Sequence, residues 1–173
     1  MISTSAVDVK KGRIYMSINI SVVETVTVLK AIFMKHQSDR ICVIGTTCCG
    51  KTTLLHKIPN CVDMDDVLGA LLTPEESAYI CQTPWTEEIG EFYDKLIYEK
   101  IKVVPGNPMF GTVIVDCEVV VYLDINDDAL MEHCKKRNVN FVSAKNMKEA
   151  IEEDWNHHRK QGGKLFYYLT INE

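Results

Sequence analysis

The sequence lacks any apolar run close to the roughly 20 residues that a bilayer-spanning helix needs. Its first residues, MISTSAVDVKKGR, have no apolar centre of the kind found in a secretory signal. The seven cysteines include no CxxC pair that would suggest a zinc site, and no repeat or low-complexity tract is present. We therefore expect a folded cytoplasmic protein whose cysteines are reduced and mostly serve as small core residues.

Positive charge is also scarce. Lysine and arginine total 19 against 24 aspartates and glutamates, which gives a net charge of -5. Such a chain has no general attraction for nucleic acid or an anionic membrane, so charge indicates neither as a partner. A nucleic-acid contact would need a local basic patch. The arginines number only four, Arg13, Arg40, Arg137 and Arg159.

What is present fits one sizeable core. The chain has 173 residues, of which 46% are apolar and 25% charged, as in ordinary globular domains. Strand patterns lie at 13–20, 40–45, 61–64, 101–104, 118–125 and 164–171, with a further apolar run at 112–116 and a loop rich in glycine and proline at 105–111. Helical patterns lie between them, with predicted N-caps at Ser21, Thr73, Thr86, Asn126 and Ser143.

This alternation predicts a three-layer α/β sandwich, with a mainly parallel five-stranded sheet covered by helices on both faces. We assign that sheet to a domain of residues 39–173. Residues 1–38 form a strand-helix extension packed on it.

One motif bears directly on chemistry. Residues 45–52, GTTCCGKT, fit GxxxxGK[ST] without a mismatch, after a predicted strand and before a predicted helix. Glycines let successive backbone N–H groups converge on an anion, and the helix N-terminus adds a favourable dipole. The motif predicts a fold of the P-loop NTPase type that binds ATP or GTP. The nucleotide-binding residues are Gly45, Thr46, Thr47, Cys48, Cys49, Gly50, Lys51, Thr52 and Thr53.

Within this loop, we expect Lys51 to reach the β- and γ-phosphates and Thr52 to offer its hydroxyl to Mg²⁺. Cys48 and Cys49 have two interpretations: reactive thiols at a helix N-terminus, or small side chains. Nothing else in the sequence suggests thiol chemistry, which favours the second.

From residue 40 onwards, the chain resembles small P-loop kinases of the adenylate, shikimate and gluconate kinase type. Asp63 and Asp65 in VDMDD look like the DxD of the shikimate-kinase pattern. The resemblance implies that Asp63 acts on the magnesium shell or as a base, and that Asp65 binds the acceptor hydroxyl. Arg137 occupies the place of the mobile lid, which supplies arginine to the transferring phosphoryl group. The implied activity is phosphoryl transfer from ATP, with Mg²⁺, to a nucleotide, nucleoside or other hydroxyl-bearing metabolite.

Simpler roles stay open for these residues. Asp63 and Asp65 also suit a helix start, and Arg137 suits a helix end. Trp85 and Phe110 are candidates for stacking on an aromatic acceptor, or for covering the core. With so few arginines, and without the middle glycine that such kinases often carry in the loop, the activities of adenylate and shikimate kinase themselves are not expected.

Two other functions compete with a kinase. A GTPase switch would use 66–69 as DxxG and 143–145 as SAK, although no NKxD is present to read guanine. An ATPase module of a larger assembly would need an acidic strand end, for which Asp116 is the candidate. His157 and His158 form a possible metal-binding pair on a polar helix, where solvated histidines are the commoner case.

Overall fold

The computed structural model describes residues 4–5, 15–20 and 22–171. Its strands are β1 (Thr4–Ser5), β2 (Tyr15–Ile20), β3 (Ile41–Ile44), β4 (Val62–Asp63), β5 (Met109–Gly111), β6 (Val119–Ile125) and β7 (Leu165–Ile171). Its helices are α1 (Val22–Lys35), α2 (Lys51–Lys57), α3 (Met64–Leu71), α4 (Pro74–Ile80), α5 (Glu87–Lys100), α6 (Asp127–Arg137) and α7 (Phe141–Gln161). The start of the predicted first strand, at 13–14, and the predicted cap Ser21 lie outside the described residues.

The strands form one sheet in the order β1-β2-β7-β6-β3-β5-β4. The five strands that follow residue 39 are all parallel, which confirms the predicted α/β sheet. β2 continues the same sheet, parallel to β7, and β1 pairs with β2 in the antiparallel direction. No described helix is both long enough and apolar enough to cross a bilayer.

Alternate residues of the central strands belong to two apolar clusters, one on each face of the sheet. On one face, Val121 and Leu123 of β6 pack with residues of α1, α2 and α6. On the other, Val120 and Tyr122 pack with residues of α3, α5 and α7. Every residue of β3 is buried, as expected of a strand covered on both sides. The arrangement is therefore the predicted three-layer sandwich.

The position of β3 decides where a site can form. After β3 the chain crosses to β4, returns to β5 beside β3, and then passes to β6 on the opposite side. In open α/β sheets, ligands bind at the carboxyl ends of the strands where the order reverses in this way. The loop that follows β3 leaves the sheet at that point.

Most helix starts follow the sequence signals. Thr73 makes a full capping box, and Thr86 and Asn126 each accept a backbone N–H in the first turn of their helices. The predicted cap Ser143 is wrong, because Asn140 caps α7 instead. Its side chain accepts the N–H of Ser143 at 3.0 Å, so α7 begins earlier than the pattern suggested.

Four predicted segments differ from the structure. Residues 101–104 and 112–116 form no strand, although Ile101, Val103 and Ile114 are buried in the second cluster. Their apolar pattern reflects packing beneath helices rather than strand pairing. β5 lies instead inside the predicted loop 105–111, and the strand predicted at 61–64 ends early because Met64 already begins α3.

Candidate functional site

The loop between β3 and α2 has a backbone that requires glycine at two points. A Cβ on Gly45 would lie 2.6 Å from the Cys49 sulfur and 3.0 Å from the Leu123 carbonyl oxygen, which is too close for a side chain. Gly50, just before α2, has a φ of 98°, in the left-handed region that glycine adopts freely. Cys48 stands where related loops often have a middle glycine, and its backbone is also left-handed, with a φ of 62°.

Lys51 turns its ammonium group into this loop. Its Nζ donates hydrogen bonds to the carbonyl oxygens of Gly45, at 2.5 Å, and Thr46, at 2.7 Å. Lys51 is the first residue of α2, so its charge lies beside the unpaired N–H groups of a helix N-terminus. The loop therefore gathers positive potential at one spot.

Hydrogen bonds to the helices on one side fix the loop. The buried hydroxyl of Thr46 donates to the carbonyl oxygen of Ala144 in α7, at 2.6 Å. His133 of α6 donates from Nδ1 to the carbonyl oxygen of Cys48, at 2.8 Å. The loop is thus held at both ends of its turn by parts of the chain remote in sequence.

A cleft of about 910 Å³ opens in front of the loop. It contains every predicted catalytic residue, namely Lys51, Asp63, Asp65 and Arg137, and most of the predicted phosphate-binding residues. The full lining is Thr47, Cys48, Gly50, Lys51, Thr52, Thr53, Asp63, Asp65, Trp85, Tyr93, Phe110, Gly111, Thr112, His133, Lys136, Arg137 and Met147. Gly45, Thr46 and Cys49 are buried and do not line the cleft.

Asp63 and Asp65 form one wall of the cleft. Asp63 caps α3 by accepting the N–H of Asp65 at 2.8 Å, as the simpler interpretation of this residue predicted. Its carboxylate nevertheless lines the cleft. The phenol of Tyr93 donates a hydrogen bond to Asp65. Burial raises the pKa of Tyr93, and the carboxylate of Asp65 raises it further, so Tyr93 stays a protonated donor.

Arg137 lies on the opposite wall as the last residue of α6, with Nη1 3.9 Å from the sulfur of Cys48. The resemblance implied a mobile lid at this place. Instead, residues 138–140 connect α6 directly to α7. Arg137 is therefore positioned by a helix end, where the helix dipole also favours its charge.

The two loop cysteines are core residues in this structure. Cys48 is 4% exposed and Cys49 1%, and both belong to the first apolar cluster. This favours the interpretation of the loop thiols as small side chains.

The two aromatic candidates, Phe110 and Trp85, differ in exposure. Phe110 is 1% exposed and packs edge-on against Phe33, with ring centroids 6.3 Å apart, so it belongs to the core at the base of the cleft. Trp85 is 55% exposed and contacts Tyr93 edge-on at 5.9 Å. Of the two aromatic rings, only that of Trp85 is exposed to a ligand in the cleft.

Six cleft residues were not predicted, and three of them, Tyr93, His133 and Lys136, have ionisable side chains. His133 lies one helical turn before Arg137 on the same face of α6, and this spacing was the available signal for it. Lys136 stands next to Arg137 in the sequence. Tyr93 is 28 residues from Asp65, and nothing in its local pattern marks it.

Features needed by the competing functions lie elsewhere. Asp116 pairs with Arg40, at 2.6 Å, and Arg40 precedes β3. Asp116 therefore lies at the opposite end of β3 from the loop, and its assignment as the acidic strand end of an ATPase is wrong. Residues 66–69 lie within α3 and residues 143–145 within α7, and none of them lines the cleft.

The described residues contain no group of three or more histidine, cysteine, aspartate or glutamate side chains placed to hold a metal. His157 and His158 therefore belong to no such group. Mg²⁺ does not require such a cage, since it commonly binds one or two protein oxygens together with substrate phosphates. The hydroxyl of Thr52 and the carboxylate of Asp63 both line the cleft and fit this pattern.

Comparison with protein-family models and with curated proteins finds no match to this chain. Any function proposed for it therefore rests on the cleft itself.

Proposed function

We propose that this protein is an ATP-dependent phosphotransferase of the P-loop type that transfers the γ-phosphoryl group to a hydroxyl of a small acceptor. One observation carries the proposal. The cleft joins the glycine-containing loop before α2, with Lys51, to a carboxylate wall, Asp63 and Asp65, and to Arg137 on the other side. A donor site, an acceptor site and a cation between them are the parts that this reaction needs.

On the donor side, the backbone N–H groups of the loop and of the start of α2 face the phosphates. Lys51 exchanges its hydrogen bonds with the loop carbonyls for bonds to the β- and γ-phosphate oxygens. Thr52 and Asp63 would hold the Mg²⁺ of the nucleotide, which would neutralise phosphate charge.

On the acceptor side, Tyr93 orients Asp65 by binding one carboxylate oxygen, and the other oxygen accepts the hydrogen of the acceptor hydroxyl. The acceptor oxygen attacks the γ-phosphorus, and the bond to the β–γ bridging oxygen breaks, so ADP leaves. The hydroxyl proton passes to the carboxylate of Asp65. Arg137 stabilises the charge on the transferring group.

The state of the cysteines bears on the cellular location of the protein. All seven cysteines are free. This supports a reducing compartment, which we propose is the cytoplasm.

The test is transfer of label from γ-labelled ATP to a pool of small alcohols, covering nucleosides, nucleotides, sugars and sugar acids, followed by separation of the products. We expect a labelled product with the unaltered protein and a loss of at least about 100-fold with Asp65→Asn, the scale of general acid–base contributions. Asp66→Asn is the matched control, since Asp66 is the next residue of α3, is exposed, and does not line the cleft. The absence of any labelled acceptor, or equal loss in both variants, would contradict the proposal.

A further inference from the structure

Charge is distributed unevenly within the cleft. Among the described lining residues, the positive side chains are Lys51, Lys136 and Arg137, which all belong to the phosphate loop or α6. The wall formed by β4, α3 and the start of α5 contributes Asp63 and Asp65 instead. The nucleotide's phosphates therefore have cations on their side, including the Mg²⁺ proposed at Asp63, whereas an acceptor on the other side meets the carboxylate of Asp65, to which no cation is assigned.

The raised pKa of Tyr93 agrees with a negatively charged wall. Burial is the main reason that its pKa is raised, and the charges of Asp65, Asp94 and Asp63 raise it further in that order. Three carboxylates thus contribute negative potential at the acceptor wall. A second negative charge placed there, on an acceptor, would be repelled.

Trp85 gives this wall an aromatic surface. Its indole lies against α5, where a Cβ added to Gly90 would be 3.4 Å from Nε1. Its edge meets the ring of Tyr93 at an interplanar angle of 73°. More than half of Trp85 is nevertheless exposed, at 55%, and it lines the cleft. The helix holds the ring in place while leaving surface open for a flat ligand.

We propose that the acceptor is an uncharged alcohol bearing a flat ring, of which a nucleoside is the type, with Trp85 stacked on the ring and Asp65 bound to the reacting hydroxyl. This rests on the phosphotransferase function proposed above and narrows its substrate class. Nucleoside monophosphates and sugar acids are rejected because they would bring an anion to the carboxylate of Asp65.

The first experiment measures label transfer from MgATP to thymidine, deoxycytidine, deoxyadenosine and deoxyguanosine, each compared with its own 5′-monophosphate. We expect at least one nucleoside to be phosphorylated, with kcat/KM about 100-fold or more above that of its monophosphate, because unfavourable like charges cost several kcal/mol at a contact. A monophosphate used as well as its nucleoside would overturn the proposal. So would failure of all four nucleosides.

The second experiment tests the ring contact with a matched pair of variants. Trp85→Ala should raise KM for the nucleoside about 10-fold and leave KM for ATP unchanged, within the range found when stacking aromatics are removed. Trp85→Phe should keep most of the affinity, which separates stacking from misfolding. Tyr98→Ala removes an exposed aromatic side chain of α5 that does not line the cleft, and it should change neither value. An unchanged nucleoside KM in Trp85→Ala would contradict the stacking role.

The third experiment tests the charge. Asp65→Asn keeps an oxygen for Tyr93 but removes the negative charge, so a nucleoside monophosphate should bind at least about 10-fold more tightly than it binds the unaltered protein. Quenching of Trp85 fluorescence reports this, since the second tryptophan, Trp155, is 1% exposed. No gain in monophosphate affinity would overturn the charge argument.

The two proposals fail in different ways. If phosphate is transferred only to anionic acceptors, and Trp85→Ala leaves their KM unchanged, the acceptor class is wrong and the phosphotransferase stands. If the protein binds no MgATP and labels no acceptor, the phosphotransferase itself is wrong.

Discussion

The hydroxyl of Thr46 donates a hydrogen bond of 2.6 Å to the carbonyl oxygen of Ala144, 98 residues further along the chain. Thr46 is 1% exposed, so water does not compete for this bond. It joins the start of the loop between β3 and α2 to α7. The conformation of the loop thus depends on a helix that the motif itself does not include.

Thr46→Val should therefore weaken MgATP binding about 10-fold and lower the free energy of unfolding by about 1 kcal/mol, the usual net value of a hydrogen bond. Calorimetric titration and urea unfolding measure the two effects. Thr46→Ser keeps the hydroxyl and should retain the affinity even though it loses a buried methyl group. Equal affinity in the valine and serine variants would show that the bond does not shape the loop.

Cys48 should tolerate glycine better than valine. Its φ of 62° is left-handed, where a β-branched side chain is strained by roughly 1–2 kcal/mol. Cys48→Gly relieves this conformation and loses a small buried side chain, so the free energy of unfolding should change by less than about 1 kcal/mol. Cys48→Val should be clearly less stable and bind MgATP more weakly. A valine variant as stable as the glycine variant would contradict the backbone argument.

Arg137 should affect turnover more than binding. Arg137→Met should lower kcat for acceptor phosphorylation on the order of 10³-fold, as expected when a cation on the transferring group is lost. KM for ATP should change far less. Lys135→Met is the control, because Lys135 lies in the same helix turn, is exposed and does not line the cleft. An equal loss in kcat for both variants would point to a general charge effect.

The sequence motif alone located the loop between β3 and α2 whose backbone requires glycine, because spacing and glycine geometry are local properties of the chain. Helix starts at Thr73, Thr86 and Asn126 were predictable for the same reason: the capping side chain bonds an N–H a few residues away. The parallel sheet followed from the alternation of elements.

Other features depend on contacts that no local pattern encodes. Val113 and Ile114 are buried because helices of the second cluster cover them, and a short apolar run of this kind does not distinguish a strand from a buried loop. β5 was missed because a glycine- and proline-rich segment surrounds it. The bond from Tyr93 to Asp65 joins α5 to α3, so it required the fold.

Stability at low pH should depend on Glu118. Hydrogen bonds from Arg40 lower the pKa of this carboxyl from 4.5 to about 2. A carboxyl whose pKa is lower in the folded state stabilises the fold above its unfolded pKa, and this contribution is lost as the pH falls from about 4.5 towards about 2.

Melting temperatures across this interval should therefore fall less steeply for Glu118→Gln than for the unaltered protein, while the variant is less stable near neutral pH. Glu153→Gln, an exposed position on α7, is the control and should follow the unaltered protein. Parallel curves for Glu118→Gln and the unaltered protein would exclude this contact as a source of acid sensitivity.

We propose that the loop with Lys51 holds the phosphates of a nucleotide, and the dissociation constant for MgATP in matched lysine variants tests this. Lys51→Ala should weaken binding at least about 100-fold and abolish phosphoryl transfer while circular dichroism shows an intact fold. Lys57→Ala, an exposed lysine in the last turn of α2, should bind as the unaltered protein does. Equal MgATP affinity and transfer in Lys51→Ala and the unaltered protein would contradict the claim.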